Sequence, residues 1–347
     1  MNSFLIGNRK VGKNAPVFVI AEAGSNHNRN LHQAKKLIEI AAEAEVDAVK
    51  FQTYSAETLY SKKTPNPDYL EGKLTQKSMW QLIKDIEIPR EWQAELADYS
   101  KSHNLIFLST PFDYKAVKEL EELNMPAYKI ASFEIVDLPF LREIAQIGKP
   151  IILSTGMASL GDIEDAINAI KEIEDVPIAL LHCAINYPPP FEDLNLKAIK
   201  TLKTAFQVPV GYSDHTMSLA IPAVCVALGA SIIEKHFTTD RNLKGPDHKF
   251  ALESNELKKM VKYIREIEAS LGSSIKFMPK SEDNLYKLAR RSIIARKEIP
   301  KGKMIVKSDL IIKRPGYGIA PKFINIVIGR TAKSDIDEDE IITWDMI

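Results

Sequence analysis

The feature that most constrains this chain is an alternation repeated eight times. Short apolar runs rich in β-branched residues recur at 17–21, 48–52, 105–108, 127–131, 151–153, 178–181, 208–211 and 231–234. Segments with helical periodicity lie between them, clearest at 31–44, 91–103, 114–123, 160–173 and 219–228. A strand apolar on both faces must be covered on both faces, and an intervening helix makes successive strands parallel. Eight such units, closing with a helix over 254–271, predict an α/β fold, a (β/α)8 TIM barrel, over about 15–271. The same pattern also fits a doubly wound open sheet. With a short N-terminal β-hairpin ahead of the barrel, the first domain is expected over 1–272.

The texture changes after Gly272. Residues 273–286 are polar, contain Pro279 and read as a linker. Residues 287–347 carry strand-like runs at 292–295, 309–312 and 341–343, broken by Pro300-Lys301-Gly302 and Pro315-Gly316-Tyr317-Gly318. They predict a small, mostly β module, too small to host much chemistry alone. Lys+Arg and Asp+Glu number 46 each, and this zero formal charge argues against a nucleic-acid binder. No window approaches the ~18 unbroken apolar residues of a membrane span. The N-terminal residues lack the basic-then-apolar order of an export signal, so no membrane partner and a cytoplasmic location are expected. Cys183 and Cys225 are too few for a disulfide scaffold or a structural zinc site.

Active sites of such barrels lie at the C-terminal ends of the strands. Every strand end here is polar: Glu22; Lys50 and Gln52; Ser109 and Thr110; Lys129, Ser132 and Glu134; Ser154 and Thr155. His182 with Asn186 and Tyr187, Ser213 with Asp214 and His215, and Glu234 with His236 complete the ring. Alternate strand residues share a face, so Lys50/Gln52, Ser213/His215 and Glu234/His236 are each expected to point one way. Charges inside apolar strands are costly unless paired or used, and four of them converging on one mouth point to function. His215 and His236 stand 21 residues apart on neighbouring strand ends, under ~5 Å between strands, where two imidazoles could hold one metal left open to water and substrate. The alternative for each is a core histidine bonded to a carbonyl. Two lysines among hydroxyls suit an anion carrying phosphate and carboxylate. No nucleotide-binding glycine motif is present. His27, His182 and His248 are weaker candidates, and Cys183 reads as packing.

These residues fall in motifs that resemble the sialic acid (N-acetylneuraminate) synthase family, which includes nonulosonic acid and spore-coat polysaccharide synthases. The motifs are Ile20-Ala21-Glu22-Ala23-Gly24-Ser25-Asn26-His27, Val49-Lys50-Phe51-Gln52-Thr53, Leu108-Ser109-Thr110-Pro111-Phe112 and Tyr128-Lys129-Ile130-Ala131-Ser132. They continue with Leu153-Ser154-Thr155-Gly156-Met157, Ser213-Asp214-His215-Thr216, Glu234-Lys235-His236-Phe237 and Gly245-Pro246-Asp247. Lys313-Arg314-Pro315-Gly316 extends the likeness into the small module, which is similar to the antifreeze-like (SAF, β-clip) domain of those enzymes.

The resemblance implies a transferase that condenses phosphoenolpyruvate with an open-chain N-acetylated amino sugar, giving a nine-carbon 2-keto acid and phosphate by C–O cleavage. It implies that His215 and His236 hold a divalent metal, usually manganese. It assigns Lys50, Thr110, Lys129, Ser132, Ser154 and Ser213 to phosphoenolpyruvate, and Glu22 and Glu234 to water and proton handling. Gln52, Glu134, Tyr187 and Asp247 fall to the sugar or the site's edge. It further implies a domain-swapped homodimer in which Arg314 reaches the partner's site. An asparagine that contacts the sugar in sialic acid synthases proper, which use N-acetylmannosamine, stands where Ile185 does here, with Asn186 the alternative contact; the segment 245–252 resembles more the relatives that make other nonulosonic acids or spore-coat polysaccharide precursors, whose substrates include di-N-acetylated 6-deoxyhexoses. Two other readings fit the residues, a metal-dependent pyruvate aldolase and a non-catalytic sugar-binding barrel.

Overall fold

A computed structural model describes residues 3–64 and 78–347. Two strands, β1 (Ser3–Ile6) and β2 (Arg9–Gly12), form the antiparallel N-terminal hairpin. The eight that follow are β3 (Phe18–Gly24), β4 (Ala48–Thr53), β5 (Ile106–Pro111), β6 (Tyr128–Ile130), β7 (Ile151–Ser154), β8 (Ile178–Cys183), β9 (Val210–Asp214) and β10 (Ile232–His236). Their parallel ladder runs β5-β4-β3-β10-β9-β8-β7-β6, and its two ends, β5 and β6, lie side by side. The sheet is therefore a nearly closed TIM barrel rather than the open sheet that the apolar pattern also allowed.

Physics of burial explains the strand composition. All seven residues of β3 are buried, facing the barrel core on one side and helices on the other. The helices begin where polar side chains cap free backbone N–H groups: Asn30 Oδ1 accepts from Gln33, Asp113 Oδ1 from Ala116, and Ser159 forms a capping box with Asp162. The last barrel helix, Ser254–Leu271, has the bounds expected from its periodicity. The helices Met79–Ile86, Leu138–Ala145 and Ala198–Phe206 were not singled out by the sequence pattern. Ile6 and Val11 of the hairpin are fully buried in the barrel's own core, and its turn at Gly7 meets Ile106 and Pro126. The hairpin thus sits at the N-terminal end of the strands, away from the polar ends.

Residues 3–272 make one compact unit and 273–347 another. The second unit pairs β11 (Ser292–Ala295) with β12 (Leu310–Lys313) and has its own core of Ile293, Ile299, Ile305, Ile319, Ile336 and Ile342. The run at 341–343 contributes an isolated bridge, Ile294 to Ile341, in place of a strand. The expected linker 273–286 is structured in its second half, with a helical turn at Lys280–Glu282 and a helix over Asp283–Ala289. No helix among the described residues is long and apolar enough to cross a membrane.

Neighbouring strands pack closely at Gly211 in β9. A Cβ there would lie 2.6 Å from Leu181 and 2.7 Å from Ile232, and against the Ile232 carbonyl. Overpacking of this kind costs ~1–3 kcal/mol. Gly211→Ala is expected to lower the urea midpoint accordingly, and an unchanged midpoint would mean that β9 can shift freely.

Candidate active site

The polar strand ends meet in a buried charge cluster. Lys50 Nζ lies 2.6 Å from Glu22 Oε2, 2.9 Å from Thr110 Oγ1 and 3.9 Å from Glu234 Oε1. Lys129 Nζ approaches the same Glu234 oxygen at 3.5 Å, and Ser213 donates to it at 3.2 Å. Gln52 Nε2 donates to Glu22 Oε1 at 2.7 Å. Parallel register explains the convergence. His236 of β10 pairs with Glu22 of β3, and Glu22 with Lys50 of β4; Gln52 pairs with Thr110 of β5 and Glu234 with Ser213 of β9. Residues paired across neighbouring strands point the same way, as do residues two apart on one strand, so one face of the sheet at the barrel mouth carries the cluster.

Burial and mutual charge set the protonation states. Burial raises Glu22 to about 7, against the pull of the Lys50 ammonium beside it. Burial also opposes ionisation of Glu234, yet Lys129 and Lys50 outweigh it and hold that carboxyl below its usual range. Lys129 is lowered by burial, whereas Lys50 is raised because Glu22 and Glu234 overcome the same effect. Burial pushes Glu134, in the turn after β6, up to about 7. The cluster therefore holds one firm carboxylate and two carboxyls able to carry a proton near neutrality.

The two histidines stand beside it with ring centroids 5.5 Å apart. His215 Nδ1 lies 2.6 Å from the Ala184 carbonyl, which fixes that nitrogen as the N–H and leaves Nε2 as a bare lone pair. His236 Nδ1 is buried without a hydrogen-bond partner, 3.9 Å from Asp247 Oδ2. Burial lowers His215 to about 4 and His236 to about 3, so both rings are neutral, the form that ligates metals. Their donor set fits a divalent cation with two protein ligands and open positions, and no group of three or more candidate ligands occurs among the described residues. Asp247 is held by one oxygen only: Oδ2 accepts from Ser25 N at 3.1 Å and Ser25 Oγ at 2.9 Å. Gly24, at φ +50°, makes this possible, because a Cβ there would come within 2.6 Å of that oxygen.

Ser132 Oγ accepts from Gly156 N at 2.9 Å and lies 3.1 Å from Cys183 Sγ, while Ser154 Oγ, in β7, is buried with no partner. Glu234 Oε2 and Glu134 Oε2 are likewise buried and unpartnered. Tyr187 lies against His215 with centroids 4.2 Å apart, and Phe250 packs on both Tyr187 (5.0 Å) and His236 (5.1 Å). Arg314 alone among the expected residues belongs to the second unit, where it is exposed.

Some positions differ from expectation. His182 does not join the ring; its Nε2 bonds the Leu194 carbonyl at 2.8 Å on the opposite face of β8. Cys183 packs as expected, buried against Ser132, and it is this residue that takes the inward place. Ser109 pairs with Thr53 Oγ1 instead of facing the cluster. His248 is tied to Thr238 and Asn28, and His27 accepts from Arg29 N, so both organise loops. Phe250 and Gly156 were not picked out. Their only signal was proximity in sequence to Asp247 and Ser154.

The NeuB family profile matches residues 37–276, and the SAF domain profile matches residues 290–347. N,N'-diacetyllegionaminic acid synthase of Campylobacter jejuni is 45% identical over 93% of this chain and 98% of its own length. The crystal structure of spore coat polysaccharide biosynthesis protein SpsE from Bacillus subtilis is 40% identical, with TM-score 0.69 over 100% of this chain and 99% of that one. N-acetylneuraminic acid synthetase of Leptospira borgpetersenii, crystallised with citrate, is 38% identical, with TM-score 0.73 over 82% of this chain and 95% of the other. With one profile spanning most of the barrel, the other the C-terminal module, and relatives aligned nearly end to end, the chain belongs to the NeuB family of synthases and carries a SAF domain.

Proposed function

We propose that this protein condenses phosphoenolpyruvate with an open-chain N-acetylated amino sugar, releasing phosphate and a nine-carbon 2-keto acid. The observation that carries the reading is the juxtaposition of a cationic, hydroxyl-lined floor with a pair of neutral, bare imidazoles. Lys50, Lys129 and the hydroxyls of Thr110, Ser132 and Ser154 supply donors for a phosphate and a carboxylate, and Ser213, which donates to Glu234, lines the same floor; Ser154 has no other partner. Lys129 alone would suit a Schiff-base aldolase, but its pairing with Glu234 beside a second lysine suits a phosphorylated substrate better. His215 and His236 would hold a divalent cation, manganese in our reading, whose Lewis acidity would favour negative charge growing on the aldehyde oxygen.

The chain's own groups account for the remaining chemistry. Carbon attack by the methylene of phosphoenolpyruvate leaves positive charge at its second carbon, which the Glu234 carboxylate can stabilise. Glu22, raised to about 7, can take a proton from the water that adds to this carbon and return it to the oxygen of the former aldehyde; the C–O bond to phosphate then breaks, the new hydroxyl's proton leaves with phosphate, and the keto group forms. Gln52 fixes the Glu22 oxygen at 2.7 Å, and Asp247, held by Ser25 through one oxygen, offers the other to a sugar hydroxyl. Glu134 and Tyr187 border the same space.

A narrower reading of the sugar is favoured by Ile185. Its side chain packs over Gly156, where a Cβ would touch it together with Cys183 and Ser132. An apolar wall at this point suits a deoxy or acylated position better than a free hydroxyl, whose lost partner costs ~1–3 kcal/mol. The relative at 45% identity is named for a diacetylated product. We read the substrate as a 2,4-diacetamido-6-deoxy sugar, with N-acetylmannosamine the poorer one. The assembly is read as a homodimer, because Phe133, Met157, Phe191 and Met217 are exposed apolar side chains in loops at the mouth and Arg314 is exposed on the second unit.

Phosphate release from phosphoenolpyruvate, assayed over a panel of 2-acetamido sugars, tests the reading. Label at the bridging oxygen should leave with phosphate, and kcat/KM should be highest for the diacetamido sugar. Label retained in the keto acid, or no sugar-dependent phosphate, overturns the condensation. Chelation should abolish turnover and Mn²⁺ restore it, and His215→Ala and His236→Ala should remain folded with most of kcat lost. Full activity of either variant in chelator would remove the metal from the reading. Finally, Arg314→Ala and Glu22→Gln should each be nearly inactive, yet an equal mixture of refolded chains should recover about a quarter of wild-type activity, since half the dimers are mixed and each has one intact site. No recovery despite mixed dimers would place Arg314 in its own chain's chemistry or outside it.

A further inference from the structure

A second buried ion pair lies on the outer face of the same two strands that carry the histidines. Lys235 Nζ sits 2.6 Å from Asp214 Oδ2, and both side chains are fully buried. The residues are register partners across β9 and β10, one position before His215 and one before His236. Lys235 also donates to the Thr216 carbonyl and lies 3.5 Å from that of Ser218. Asp214 Oδ1 accepts from Thr216 N at 2.9 Å, and Thr216 Oγ1 accepts from Ser218 N at 3.1 Å. The turn 214–218, which carries His215, is thus wrapped around one ammonium group rooted next to His236.

Such a pair contributes little to stability for what it costs to desolvate, and apolar residues of similar volume often serve as well. Its geometry answers a different need. A site with only two protein ligands has no third ligand to fix their spacing, and His215 itself follows the last residue of β9. We propose that Asp214 and Lys235 are positioning residues that set the distance and orientation between the two imidazoles. This rests on the metal reading above. Neither residue touches the reacting space, and neither contacts the cluster of Lys50, Lys129 and the hydroxyls.

The test is the full-length double variant Asp214→Asn/Lys235→Met, in which Asn can still accept from Thr216 N and Met fills the space of Lys. Three quantities are read: Mn²⁺ affinity by the electron paramagnetic resonance of free ion, phosphoenolpyruvate affinity in chelator, and amide exchange at 215–218 without metal. Mn²⁺ affinity should fall on the order of 10–100-fold, as for other residues that orient ligands. Phosphoenolpyruvate affinity should be unchanged and exchange at 215–218 faster. Unchanged Mn²⁺ affinity, or equal loss of phosphoenolpyruvate affinity, overturns the proposal. Unchanged exchange overturns it whatever the metal does. Mn²⁺ binding by the otherwise native chain that survives His215→Ala would instead sink the metal reading. Should the double variant fail to fold, Thr216→Val, which loses the hydroxyl between Asp214 and Ser218, should move Mn²⁺ affinity and exchange the same way by less.

Discussion

Lys50 and Lys129, set among Glu22 and Glu234, are the interaction around which the barrel mouth is organised. Each of these charges would be costly to bury alone, and their strands, β3, β4, β6 and β10, are spread along the chain over more than two hundred residues. β4, β3 and β10 are neighbours in the sheet, but only a sheet curved back on itself brings Lys129 of β6 within ion-pair distance of Glu234. The apolar strands make that closure favourable, and the charges then satisfy one another at its rim. The cluster remains under-satisfied by design of its geometry: Glu234 Oε2 and Ser154 Oγ keep unused capacity in a site from which water is largely excluded. A ligand that brings an acceptor to Ser154 and a donor to Glu234 completes what the protein leaves open.

Much of this was legible before any coordinates. Period and β-branching set the eight strands, and the polar residues at their ends named most of the site. Facing direction was harder. In Leu181-His182-Cys183 both sides of β8 are buried, so no alternation of apolar and polar residues tells which side is inward. The sequence favoured the histidine as the chemically interesting residue; the fold turned the cysteine in. At Ser109 and Thr110 the same ambiguity applied, and Thr110 faces Lys50. Phe250 lay beyond reach for a different reason. It reaches the histidines through a short helical turn, His248–Phe250, whose placement depends on loop contacts such as Thr238 to His248.

The site divides by the stiffness of its supports. The charged floor is built on barrel strands, β3, β4 and β10 with ladders on both sides and β5 and β6 with one, whereas Tyr187, Ile185, Phe250 and Asp247 come from loops. Such a division lets the chemistry of the floor stay constant while loop residues alter the shape offered to the second substrate. The loops are nonetheless well tied down, as the grip of Ser25 on Asp247 and of Asn26 on the Phe237 carbonyl illustrates.

The N-terminal hairpin bears on how the barrel is held together. Ile6 and Val11 complete the core at the end of the strands away from the polar rim. Lys50 and Lys129 are almost fully buried among the strand ends, while Tyr187, beyond β8, is partly exposed. The barrel is thus braced at the end that carries none of the charged cluster. Damage to the hairpin is therefore felt as loosened packing, while the arrangement of groups at the rim is left to the strands themselves.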